Sequence, residues 1–190
     1  MDFKDLVAHR RSHRRFSDEE IAPEALQLIL RSALMSPTSK SSRKWHFVVV
    51  DDKVALEKMA DAKEAGAAFL KGAPLAIVVC APPDEDECWI EDASIAAVTI
   101  QYQAADLGLG SCWAQMHGRG LSDGTTADEV IHGILGLDDA YEVLCVIAIG
   151  HYTDERKPQN EDALRQNVSG CGTFQPGSCT VVSRRNEFHR

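Results

Sequence analysis

The chain has 190 residues, of which 44% are hydrophobic and 26% charged, and it carries a formal net charge of −9. That is one domain's length and an ordinary globular composition, enough for a sizeable core. The acidic balance excludes sequence-independent nucleic-acid binding and docking on an anionic membrane, since both need extended positive potential.

Residues 2–10 predict a short helix with Phe3, Leu6, Val7 and Arg10 on one face. The opening "MDFKDLVAHRR" is charged from its second residue, so no secretory leader is expected. No run reaches the ~20 apolar residues of a membrane span. A second helix starts at Pro23, turns Leu26, Ile29, Leu30, Ala33 and Leu34 inward, and stops at Pro37. The polar loop "SPTSKSSRK" then leads into "WHFVVVDD", which reads as a strand. Helical segments over 55–62 and 65–71 follow, and "LAIVVCA" (75–81) is expected to be a strand buried on both faces. "PPDEDE" makes an exposed acidic turn. The longest helix runs from Trp89 to Leu107, with Ile95, Val98 and Tyr102 among its apolar positions. Its Ala- and Ser-rich flanks permit close approach of another helix, and "LGLG" ends it. Gly110–Gln115 predicts a third strand, and Thr126 with Glu129 a capping box opening a helix to Leu135. "YEVLCVIAIG" (141–150) is the fourth and most apolar strand. The chain turns polar after Gly150, and residues 169–190 read as an arm or tail. Helices and strands interspersed without an internal repeat give a mixed α/β or α+β layered domain.

The six cysteines are Cys80, Cys88, Cys112, Cys145, Cys171 and Cys179, with no C-x-x-C pair. Cys80, Cys112 and Cys145 fall in apolar strand-like runs, where cysteine acts as a small hydrophobe. Reduced thiols in a cytoplasmic protein are expected.

Four polar stretches could carry chemistry. "HRRSHRRF" (9–16) brings Arg10, Arg11, Ser12 and Arg14 together in an acidic chain. Arginine forks match phosphate oxygens and ring carbonyls, although cations also suit a solvated helix C-terminus. Pro37, Thr38, Ser39 and Ser41 offer hydroxyls and free amides to a phosphate, a sugar chain or a heterocycle edge, or make an ordinary polar loop. "GLGSCWAQMHGR" (108–119) is a glycine turn, a short strand and a polar exit with Gln115, His117 and Arg119. Ligands commonly sit at strand exits, while Trp113 reads equally well as core. Arg156 and Lys157 place a second cation pair past the last strand, or are solvated surface charge. No G-x-S-x-G, P-loop, G-x-G-x-x-G after a strand or H-x-x-x-H occurs, so a hydrolase, a Rossmann NAD site and a metal centre are not expected.

In this order and at these separations the four stretches resemble the FMN-dependent nitroreductases. "RRSHRRF" is similar to the family's R-R-S-x-R-x-F element and "SPTSKSSRKWHFVVV" to its A-P-S-x-x-N-x-Q-P-W-x-F element. "ADLGLGSCW" resembles the segment after its long helix, and "VIAIGHYTDERKP" its final core strand and the basic pair beyond. The resemblance covers residues 3–160, and "PTSKSSRKW" and "WIEDASIAA" look most like the compact bacterial branch.

The resemblance implies an α+β fold of three-layer α/β/α type, with a central mixed, largely antiparallel sheet flanked by helices. It implies an FMN-binding domain over 1–168 and a C-terminal arm over 169–190, exchanged in a homodimer with two FMN sites at the interface. The Trp89–Leu107 helix, with its small-residue flank, is the candidate dimer core. Arg10, Ser12 and Arg14, helped by Arg11, would hold the FMN phosphate, the ribityl chain and the pyrimidine side of the ring. Pro37, Thr38, Ser39 and Ser41 would close over the flavin from the partner subunit. Trp113, Ala114, Gln115 and Met116 would run along the ring, with a backbone N–H near flavin N5, and Arg156 and Lys157 would bind the phosphate. A further polar contact is implied between residues 63 and 71, where the sequence singles out no residue. Ser41 stands where many relatives carry Asn, and Arg43-Lys44 where they carry Gln-Pro.

The implied activity is ping-pong. NADH or NADPH gives hydride to flavin N5, and an electron-poor acceptor such as a nitroaromatic or quinone then takes it, with no protein acid or base required. Metabolite dehydrogenation, reductive dehalogenation, or flavin binding without turnover would use the same fold.

Overall fold

The protein's computed structural model describes residues 1–160, 163 and 164. Strands β1 (His46–Val50), β2 (Leu75–Ala81), β3 (Gly110–Gln115) and β4 (Glu142–Gly150) form one sheet in the order β1-β2-β4-β3. All three pairings are antiparallel, and the parallel element is a bridge between Ser12 and Ser111 on the outer edge of β3. All of β2 is buried, as is β4 from Val143 onward, which is why both read as continuous apolar runs.

Alternate residues of the central strands feed two cores, one on each face of the sheet. Ile77 and Val79 of β2, with Ile147 and Ile149 of β4, pack under helices α2 (Pro23–Leu34) and α4 (Trp89–Asp106). Val78 and Val146 pack on the other face with Leu56 and Met59 of α3 (Lys53–Ala60) and Ile131 of α5 (Ala127–Leu135). This is the expected three-layer α+β arrangement. The capping box forms as the sequence predicts. Thr126 Oγ1 accepts from the Glu129 N–H at 3.1 Å, and the Thr126 N–H donates to the Glu129 carboxylate at 2.7 Å. Residues Ala68–Gly72 make a tight 3-10 turn where a helical segment is predicted.

The helix faces differ from the sequence expectation. In α1 (Phe3–His9) Leu6 alone is buried, and Phe3 and Val7 face solvent. Ile29 and Ala33 of α2 are fully buried, whereas Leu34 is exposed. Ala93, Ala96, Ala97 and Ala104 form the buried flank of α4, and its close neighbour is α2 of the same chain. Ser32 Oγ donates across that contact to Gln103 Oε1 at 2.8 Å. The small-residue flank offered as a dimer core is therefore used within the chain, and Ile95 and Val98 lie on the exposed flank of the helix.

The chain divides into Met1–Pro158 and Gln159–Arg190. The expected boundary at 168/169, the arm, Cys171 and Cys179 lie outside the described residues. Among the described residues no helix is long and apolar enough to cross a membrane. Cys80, Cys112 and Cys145 are free and buried, and Cys88 is free and partly exposed. Burial pushes the Cys80 thiol up to about 12 and that of Cys145 well above its ordinary value.

Candidate functional site

β3 is an edge strand, and its outer side positions the predicted residues. Near one end the Ser111 carbonyl accepts from the His13 N–H at 3.0 Å. At the other, the Gln115 carbonyl accepts from Lys63 Nζ at 2.8 Å. The two-residue period of a strand puts the Trp113 backbone on the same edge, between them. Ser111 and Gln115 are about 13 Å apart along the strand. Gly110 lets the N-terminal segment approach this edge, because a Cβ there would lie 2.9 Å from the Cβ atoms of His13 and Tyr152.

The Ser111 end is cationic. Arg10, Arg11 and Arg156 line a cavity of about 250 Å³ with Ser111 and Tyr152. Arg11 donates to the Lys157 carbonyl at 2.9 Å, which ties the two predicted basic stretches together. His13 is buried, stacks on Tyr152 with ring centroids 3.9 Å apart, and meets Asp154 at 2.8 Å. Asp154 also accepts from the Arg14 N–H at 3.4 Å and Arg156 Nε at 3.0 Å. Burial would raise the Asp154 carboxyl, but the bonds from His13, the Arg14 N–H and Arg156 outweigh it and hold the group below its usual range. Among the described residues the Arg10 and Arg14 guanidiniums have no hydrogen-bond or carboxylate partner. Both act, with Arg156 and the Ser12 hydroxyl, on the Cys112 thiol in β3. Burial raises that thiol, and these four groups oppose the rise. Arg10, Ser12, Arg14 and Arg156 thus all bear on the same end of the strand, where Arg10 and Arg156 share a cavity wall with Ser111.

The Gln115 end is a cleft of about 620 Å³ lined by Lys63, Trp113, Gln115 and Arg119 among others. Trp113 Nε1 donates to Gln115 Oε1 at 2.9 Å and Gln115 Nε2 to the His117 carbonyl at 3.1 Å, so indole and amide are held in place. Ala114 and Met116 turn their side chains into the core, and the Met116 N–H is donated to the Leu144 carbonyl at 3.0 Å. His117 packs edge-on against Trp89 and pairs with Glu142 at 3.3 Å. Lys63 falls in the 63–71 interval where the sequence singles out no residue. Burial lowers its ammonium, and the neighbouring Arg119 lowers it further.

The loop bearing Pro37, Thr38, Ser39 and Ser41 lines neither the cavity nor the cleft. It is anchored at the start of α4. The Ser39 N–H reaches both oxygens of Asp92, and Ser42 Oγ reaches Asp86 and Asp92 at 3.2 Å each. Lys40 pairs with Glu87 and Lys44 with Glu85, so the acidic turn holds the basic loop. Lys40, Ser41 and Arg43 have φ of 51°, 54° and 49°, left-handed conformations without glycine that persist because these bonds fix the loop.

The nitroreductase family profile matches residues 7–68 and 61–151, which takes in the cationic N-terminal segment, Lys63 and all four strands. An FMN-dependent nitroreductase from Clostridium difficile R20291 has a similar structure, with a TM-score of 0.85 and 43% identity over 89% of this chain and 98% of that one. A relative from Archaeoglobus fulgidus, provisionally named an NADH dehydrogenase/NAD(P)H nitroreductase, is 33% identical over 80% of this chain and 86% of its own. A nitroreductase with bound FMN from Desulfitobacterium hafniense shares the fold, with a TM-score of 0.66 and 23% identity over 87% of this chain and 97% of that one. With the profile matching more than half of the chain, and relatives 33% and 43% identical over most of their own length, the chain belongs to the nitroreductase family.

Proposed function

We propose that the outer edge of β3 binds FMN and that the protein is an NAD(P)H-dependent FMN oxidoreductase acting on nitroaromatic, quinone or similar electron-poor acceptors. The observation that carries this is the cavity that Arg10, Arg11 and Arg156 line beside Ser111, with Arg10 and Arg14 unpartnered among the described residues, about 13 Å along the strand from the Gln115 carbonyl that Lys63 holds. The donor set fits the group. Convergent guanidiniums suit a phosphate dianion, the spacing suits a ribityl-length tail, and a lone ammonium beside an open strand backbone suits a polar ring edge.

In this reading Arg10, Ser12 and Arg14 grip the phosphate and chain, helped by Arg11. Arg156 closes the phosphate end with Lys157, and Asp154 orients Arg156. Trp113 and Gln115 border the ring, with Ala114 and Met116 as the rigid strand behind. Lys63 would hold a positive charge beside the ring edge, and the fixed ammonium is electrostatic preorganisation for the chemistry FMN would supply. Bound FMN supplies the hydride chemistry. One cleft serving both reductant and acceptor implies ping-pong kinetics.

A second copy completes the site in this proposal. Ile95, Val98, Phe3 and Met35 are exposed apolar residues that a homodimer would cover, and the Pro37–Ser41 loop, remote from its own cavity, would close over the partner's flavin. The arm over 169–190 would join that exchange, and the free thiols suit a reducing cytoplasm.

The test is an absorbance spectrum of the purified protein, followed by anaerobic titration. Flavin bands that NADH or NADPH bleaches and a nitroaromatic restores are the expected result. Bands that no nicotinamide bleaches would leave a flavin-binding module without this turnover.

A further inference from the structure

Arg119 is the unmatched charge of the ring-side cleft. Its backbone is fixed on both sides, with its N–H donated to the Met116 carbonyl at 2.9 Å and its carbonyl accepting from the Ala127 N–H at 2.9 Å. The next residue, Gly120, is pressed against the chain, since a Cβ there would stand 2.4 Å from the Thr125 carbonyl oxygen. Glu64 clips this loop to the opposite wall, its N–H donating to the Gly120 carbonyl at 3.2 Å and its carboxylate accepting from the Ser122 N–H at 2.7 Å. Arg119 therefore stands at a fixed place on the rim of two clefts of about 620 and 520 Å³ that share Gly118, Arg119 and Gly120.

Among the described residues nothing neutralises its side chain. The carboxylates lining those clefts are engaged elsewhere. Glu64 holds the Ser122 N–H, Glu142 pairs with His117 at 3.3 Å, and Asp128 accepts from the Val143 N–H at 2.7 Å. Lys63, the other cation, is committed to the Gln115 carbonyl at 2.8 Å. Lys63 and Arg119 both line this cleft, and an anion beside them would relieve the repulsion between the two cations.

We propose that Arg119 forms an oxyanion subsite that selects planar redox substrates carrying a carboxylate or a phosphate. This rests on the FMN oxidoreductase reading and names the substrate class that the same site prefers. The oxyanion has two sources, a carboxylate on the acceptor or the 2′-phosphate that distinguishes NADPH from NADH. The chemistry is one bidentate guanidinium contact on the exposed rim of the cleft, and no proton or electron passes through Arg119.

The experiment compares wild type, Arg119→Gln and Arg119→Lys in two matched pairs, 4-nitrobenzoate against 4-nitrobenzamide and NADPH against NADH. Calorimetry gives the binding ratios on flavin-loaded and flavin-free protein, and steady-state kinetics gives the ratios of kcat/KM. Arg119→Gln is expected to lower the anionic preference in one pair by about ten-fold or more, with Arg119→Lys intermediate. Loss in the nitrobenzoate pair assigns the subsite to the acceptor, and loss in the NADPH pair assigns it to the reductant. Both ratios unchanged in a variant of wild-type melting temperature would overturn the proposal. Failure of the FMN reading is separate, because it shows as absent flavin bands in wild type, and the flavin-free calorimetry still reads the subsite.

Discussion

Both carboxylate oxygens of Asp92 lie within hydrogen-bonding distance of the Ser39 N–H, at 2.9 and 3.0 Å. Asp92 is buried in the first turn of α4, where the helix dipole favours a negative charge, and it also accepts from Ser42. One carboxylate thus fixes a loop that contains three non-glycine residues at positive φ. Asp92→Ala orphans these donors and is expected to cost about 1–3 kcal/mol in urea unfolding. Asp92→Asn keeps one acceptor oxygen and is expected to cost less. If the loop closes over a partner's flavin, the Ala variant also releases FMN faster, which flavin fluorescence on dilution would show. An unchanged unfolding midpoint would remove Asp92 as the anchor.

The double variant Arg10→Ala with Arg14→Ala removes two guanidiniums that have no partner among the described residues and leaves the His13–Asp154–Arg156 contacts in place. FMN affinity is expected to fall by about 100-fold or more, since each charge-assisted phosphate contact is worth roughly 1.5–3 kcal/mol. Circular dichroism is expected to be unchanged, because both side chains lie outside the core. Flavin stoichiometry equal to wild type would refute the phosphate assignment.

Much of this was legible because local chemistry and tertiary structure agree. Pro23 opens α2, Thr126 and Glu129 cap α5, and the continuous apolar runs of β2 and β4 are the central strands. The face of α4 was not legible. Ile95, Val98 and the alanines all look apolar, and only the packed α2 reveals that the alanine flank turns inward. Lys63 was hidden for another reason. Its partner is a backbone carbonyl 52 residues away, and a carbonyl leaves no mark on the sequence. The loop's left-handed turns were equally silent, since Lys40, Ser41 and Arg43 carry no glycine to announce them.

Alkaline stability follows from the buried thiols. Burial raises Cys80 from 9.0 to about 12 and lifts Cys145 and Cys112 in the same direction. The unfolded chain releases these protons near pH 9 while the native state keeps them, so the unfolded state binds fewer protons. The contribution from Cys80 is complete below pH 9 and is lost as pH climbs toward 12. Urea midpoints measured from pH 7 to about pH 10.5 should decline above pH 9, and the decline should be shallower in Cys80→Ala. An identical slope in the variant would mean that other groups carry the effect.

Exchange of the Pro37–Ser41 loop between subunits makes a prediction that no single-chain site could satisfy. Suppose one inactive variant lacks Arg10 and Arg14 and another has an inactivated Ser39 loop. A mixed dimer then contains one site with both defects and one site built from an intact arginine cluster and an intact loop. Random re-association places half of the subunit pairs in mixed dimers, so mixing two inactive proteins should recover about a quarter of wild-type flavin sites. Flavin absorbance after co-refolding would read this directly, and NAD(P)H oxidation would follow it in proportion. If each subunit used its own loop, every mixed dimer would hold two defective sites and nothing would be recovered. Recovery therefore depends on the separation already seen within one chain, where the Ser39 loop is bound to Asp92 and Arg10, Arg11 and Arg156 line a cavity that the loop does not reach.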